Sequence, residues 1–78
     1  MNSTVLPVRK MVEIALAVNA TSVVVAHNHT SGIALPSKED LQATSLLQTA
    51  LKCVDVNLID HIIVADEDYV SLRDSALI

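Results

Sequence analysis

Ser22 to Ala26 reads SVVVA, a continuous β-branched run of the kind that forms a strand covered on both faces. It stands between two segments whose apolar residues recur at helical spacing. A buried strand set between helices constrains this chain more than any other feature, because those helices must pack onto the faces of a layered sheet. The first segment begins at Pro7, whose missing N–H is no loss in the first turn of a helix. Val8, Met11, Val12, Ala15 and Leu16 make an apolar stripe with Arg9, Lys10 and Glu13 on the other side. This predicts an amphipathic helix over residues 7 to 19, with Asn19 as its C-terminal cap or turn residue.

The second helix opens at Ser37, with its stripe on Ala43, Leu46, Leu47, Ala50, Leu51 and Val54 and with Lys52 placed where a cation complements the helix dipole. VNLIDHIIVA (Val56 to Ala65) reads as a second strand, Asp66, Glu67 and Asp68 as a turn, and YVSL (Tyr69 to Leu72) as a short third strand. The predicted order is helix, strand, helix, strand, strand. The fold class is α/β, a layered sheet flanked by helices, with no internal repeat or linker.

A sheet this small raises the question of support. A chain of 78 residues buries only about 60% of the surface its unfolded form exposes. Its single cysteine, Cys53, excludes an intramolecular disulfide, so a metal ion or a partner chain is the available reinforcement. The apolar half of the sequence is Val, Ile, Leu and Ala with one aromatic. Tyr69 is therefore expected to close the end of an aliphatic core, and Cys53 to act as a small buried hydrophobe. Three short strands leave an exposed edge. This predicts either the C-terminal part of a larger domain or a homo-oligomer formed by pairing that edge with a second copy.

The five Lys and Arg residues are scattered in a chain of formal charge −4, which argues against a dedicated nucleic-acid surface. No apolar stretch approaches the roughly 20 residues that span a bilayer, and the N-terminus lacks a signal-peptide pattern. A soluble cytoplasmic chain without membrane contact is expected.

The chemistry concentrates in AHNHTSGIALPSKED, residues 26 to 40. On an extended strand His27 and His29 point to the same side, with Cα atoms about 6.6 Å apart, at the carboxyl end of the strand, where layered α/β sheets bind ligands. Ser31 and Gly32 let the chain reverse there. An isolated His-x-His is often incidental, and Ser37 with Asp40 three residues later resembles a capping box. The combination is more pointed, because a carboxylate in the first turn of a helix that packs back near the strand can meet both imidazoles. Two neutral imidazoles and one carboxylate form a typical catalytic zinc set, which leaves a fourth position for a water whose pKa falls to about 7. Ser37 then lies close enough to hydrogen-bond an oxyanion.

The spacing of His27, His29, Ser37 and Asp40 matches the HxHx7SxxD signature of the JAMM (MPN-plus) metalloprotease domain. VRKMVEIALAVNATSVVVA, AHNHTSG, PSKEDLQAT and LIDHIIVADEDYVSLRD resemble its bacterial RadC branch in order and spacing. The similarity covers nearly the whole chain, so residues 1–78 read as a partial JAMM/MPN domain of RadC type whose N-terminal strands are missing. The resemblance implies that His27, His29 and Asp40 bind Zn2+ and that Ser37 is the catalytic residue assisting the tetrahedral intermediate. The activity it implies is a metallopeptidase or isopeptidase-like hydrolase acting on a peptide or protein substrate.

Two departures from the family pattern stand out. Thr30 occupies the place of a usual proline, and the family's general base, a glutamate on a strand upstream of the first helix, has no counterpart before Asn2. Glu13 reads as a solvated charge, Glu39 as a helix-dipole residue, and Asp66, Glu67 and Asp68 as turn residues. A weak or inactive hydrolase is expected on that account. Alternation places Asp60 and His61 on opposite faces of their strand, and His61 is expected to be a histidine satisfied at the sheet edge rather than a ligand. Two other functions stay open: a non-catalytic MPN-like module for protein association, and the DNA-repair role traditionally attached to RadC-type proteins.

Overall fold

A computed structural model describes residues 7–29 and 33–78. The elements are α1 (Val8–Ala17), β1 (Ser22–Asn28), α2 (Lys38–Lys52), β2 (Asn57–Ala65) and β3 (Asp68–Ser71), in the order expected from the sequence. Thr30, Ser31 and Gly32, the predicted point of chain reversal, lie outside the described residues. Pro7 precedes the first helical residue instead of occupying the first turn. Asn19 takes φ 58° just beyond α1, in the left-handed region that asparagine tolerates well, and so ends the helix as expected.

β2 is the centre of the sheet, parallel to β1 and antiparallel to β3. A parallel pair needs a crossover, and α2 supplies it. A tight turn at Asp66 and Glu67 joins β2 to β3. The β1–β2 register shifts between Val23 and Val24, whose partners are Leu58 and Asp60, so Ile59 is left unmatched. That extra residue resets the alternation of β2, which lets both Leu58 and His61 be buried.

The core has two parts. Ala15, Val25, Leu47, Leu51, Val56 and Leu58 form one cluster, and Ala34, Ile63, Ala65 and Leu72 form the other. The buried face of α2 is Asp40, Thr44, Leu47 and Leu51, a stripe at helical spacing that carries two polar residues at its N-terminal end.

Asp68, expected in the turn, begins β3, and Leu72 lies just past its end; other expectations are corrected in burial and placement. β1 is an edge strand with one open face and is not covered on both sides, since its only paired neighbour among the described residues is β2 and Val24 is 57% exposed. Leu16 and Leu46 fall off their buried stripes and are exposed, the narrower buried faces being set by contact with a single sheet layer. Cys53 is exposed, because it sits in the turn after α2 while Leu51 and Val56 close the core at that end. Tyr69 is 71% exposed near the tip of the β2–β3 hairpin, and Leu72 fills the position expected of it. His61 lies on the central strand, fully buried, and not at an edge.

Candidate metal centre

β1 delivers His27 on its core-facing side, and His29 follows just past the strand end, held by its backbone N–H donating to the Val64 carbonyl (2.8 Å). The two rings lie on the same side, as predicted, with centroids 5.0 Å apart. The facing partner comes from the first turn of α2. Ser37 is the N-cap, its hydroxyl accepting from the Asp40 backbone N–H (3.0 Å), while the Asp40 carboxylate accepts from the Ser37 backbone N–H (2.8 Å). This is a reciprocal capping box. It does not compete with a role in ligation, because it fixes the carboxylate in place.

Asp40 is fully buried and uses its two oxygens differently. Oδ2 accepts the Ser37 N–H and lies 2.9 Å from His29 Nε2, whereas Oδ1 lies 3.5 Å from His27 Nε2. His27 Nε2 and Asp40 Oδ1 are both buried without a hydrogen-bond partner among the described residues. Two orphaned polar atoms facing each other in a desolvated place are unfavourable unless something positive lies between them. One ligand atom from each of His27, His29 and Asp40 falls within 4.8 Å of the others. Borderline-hard nitrogen and oxygen donors in a set of three suit zinc. The donor set and the orphaned pair therefore fit a cation.

Electrostatics points the same way. Burial pushes the Asp40 carboxyl up, but the bonds from Ser37 and His29 outweigh it and hold its pKa below the ordinary value. The positive end of α2 helps keep it ionised. Burial depresses the His27 pKa, with Asp40 opposing and His29 reinforcing the shift, so the ring favours the neutral form that a metal requires.

Glu13 pairs with Arg9 at 3.6 Å on the solvent side of α1, as its reading as a solvated charge predicted. Asp60 faces away from His61 and accepts from the backbone N–H groups of His61 (2.7 Å) and Arg73 (3.0 Å) and from the Ser71 hydroxyl. Sequence reasoning missed two neighbours of the site. His61 Nε2 lies 2.7 Å from His27 Nδ1, and His61 Nδ1 lies 2.6 Å from the Thr44 hydroxyl. The signal for Thr44 was available, because it follows Asp40 by one helical turn and must share its face. His61 was hidden by the register shift at Ile59.

A layered sheet that joins a strand-borne histidine pair to a capping carboxylate defines an α/β domain of JAB/MPN type. The chain belongs to the RadC family: residues 1–77 match the RadC-like JAB domain. It is similar to a UPF0758 protein of Pseudoalteromonas translucida, 49% identical over 77 residues, which are 99% of this chain and 34% of that protein. A UPF0758 protein of Pseudomonas syringae pv. tomato is 43% identical over 76 residues, again 34% of its length. One from Cupriavidus pinatubonensis is 51% identical over 65 residues, 28% of its length. The chain thus spans about a third of the length of the curated relatives it matches.

Proposed function

We propose that this chain carries the zinc-binding part of a JAB-type metallohydrolase site directed at amide bonds in a peptide or protein. The observation that carries the reading is the buried pair His27 Nε2 and Asp40 Oδ1, which have no hydrogen-bond partner among the described residues and face each other at 3.5 Å. His27, His29 and Asp40 would hold the ion. When bound, zinc supplies a Lewis acid that activates water near neutral pH and leaves a coordination position open to substrate.

The chain's own residues do the rest. The capping box holds the Asp40 carboxylate against rotation. In that box the Ser37 hydroxyl acts as an acceptor, which leaves its proton to donate to a developing oxyanion. Proton transfer is the weak point. Among the described residues no further carboxylate joins the three, and a positioned general base is worth typically about 10²- to 10⁴-fold in rate. Slow amide hydrolysis by this chain on its own is the expected behaviour.

Metal analysis of the purified chain tests the reading. One zinc per chain is expected, with uptake abolished by His27→Ala, His29→Ala or Asp40→Ala. A wild-type chain that stays metal-free in excess zinc would overturn it. That result would favour the alternative of a protein-association module, which draws support from the open apolar groove between α1 and β1 lined by Met11, Ile14, Val18 and Val24.

A further inference from the structure

The contacts around His61 fix where protons sit, and they can be read in order from the helix outward. The Thr44 hydroxyl lies 2.6 Å from the Asp40 backbone carbonyl, an acceptor only, so the single hydroxyl proton points there. The same oxygen lies 2.6 Å from His61 Nδ1 and must accept, which puts a proton on His61 Nδ1. His61 is fully buried, and among the described residues its ring nitrogens touch only the Thr44 hydroxyl and the His27 ring, so a second proton would make a buried cation with no carboxylate among those residues in contact with the ring. His61 Nε2 is therefore a lone pair. At 2.7 Å it must accept from His27 Nδ1. A neutral His27 protonated at Nδ1 presents its remaining lone pair from Nε2, the orphaned atom that faces Asp40 Oδ1.

We propose that His61 and Thr44 are positioning residues for a cation at the cluster: a relay from the Asp40 carbonyl through Thr44 and His61 locks His27 in the Nδ1–H tautomer, with Nε2 as the ligand atom. The relay starts on the backbone of one ligand and ends on the side chain of another, which ties the first turn of α2 to β1 through the central strand. His29 is set independently. Its Nδ1 lies 3.3 Å from the Ile33 carbonyl, while its Nε2, 2.9 Å from Asp40 Oδ2, donates to that carboxylate in the metal-free chain and would give up that proton to a cation. Partners of this kind behind a ligating histidine typically account for about 10- to 100-fold in metal affinity.

The cation part of this inference rests on the metal-site reading; the tautomers do not. Long-range proton–nitrogen NMR of the metal-free full chain, histidine-labelled and at a pH where the rings are neutral, is expected to show Nδ1–H forms for His27 and His61. Thr44→Val, close in shape but without the hydroxyl, is expected to move His61 and then His27 toward the Nε2–H form, and Thr44→Ser to restore both. Zinc affinity, measured with zinc alone against a chromophoric chelator, is expected to fall about 10- to 100-fold in Thr44→Val and His61→Phe and to recover in Thr44→Ser. Wild-type His27 found as the Nε2–H tautomer overturns the relay, as does Thr44→Val with tautomers and affinity unchanged. If wild type takes up no zinc, the metal-site reading fails, while the tautomers of the metal-free protein still decide the relay. The wild-type spectrum decides it too if Thr44→Val does not fold.

Discussion

Ser37 and Asp40 show how one pair of side chains answers two demands. Each satisfies the other's backbone N–H, which leaves the Ser37 hydroxyl a proton to donate and turns one carboxylate oxygen, Oδ1, toward His27. Ser37→Ala removes the cap acceptor and the hydroxyl together but leaves the three ligand atoms in place. It is expected to lower stability by about 1 kcal/mol, measured by denaturant titration, and to reduce amide hydrolysis while zinc content stays at the wild-type level. Loss of zinc in that variant would mean that the cap, and not the histidines, governs the site. The residue pattern alone made His27, His29, Ser37 and Asp40 legible, because their spacing on a strand and a first helical turn is a statement about geometry. It left open whether capping and ligation exclude each other, since that depends on which oxygen points where.

At the level of elements, the central strand joins two networks on opposite faces. His61 faces α2, while Asp60 gathers the backbone N–H groups of His61 and Arg73 and the Ser71 hydroxyl, which ties β3 and the following turn to β2. Burial pushes the Asp60 carboxyl up, but these bonds win and hold its pKa below the ordinary 3.8. The sign follows from linkage. The unfolded chain takes up this proton first as pH falls, so the stabilisation is complete above about pH 4 and is lost as pH drops through the depressed folded value. Asp60→Asn is expected to flatten part of the acid limb of a stability-versus-pH curve; an unchanged acid limb would show that Asp60 contributes nothing. Strand alternation correctly separated Asp60 from His61. It could not place His61 against His27, because the one-residue register shift at Ile59 has no signature in the local sequence.

At the scale of the whole molecule, the order of elements and most of the core could be read from apolar periodicity, and the errors fall where the molecule meets solvent. Val24, Leu16, Leu46, Tyr69 and Cys53 all read as buried and all are exposed, because periodicity reports which residues share a face and not whether another layer covers it. We propose that a second copy of the chain covers the free edge of β1, whose only paired neighbour among the described residues is β2. Light scattering is expected to show concentration-dependent dimerisation, and Val24→Lys, which places a charge on the open face of that edge, to suppress it. A strict monomer at all concentrations would dispose of the idea.

The carboxylate shared between helix cap and histidine pair has a consequence for motion. The same oxygen, Oδ2, holds the Ser37 N–H and faces His29 Nε2, so Asp40 cannot swing away from the histidine without giving up its half of the helix cap.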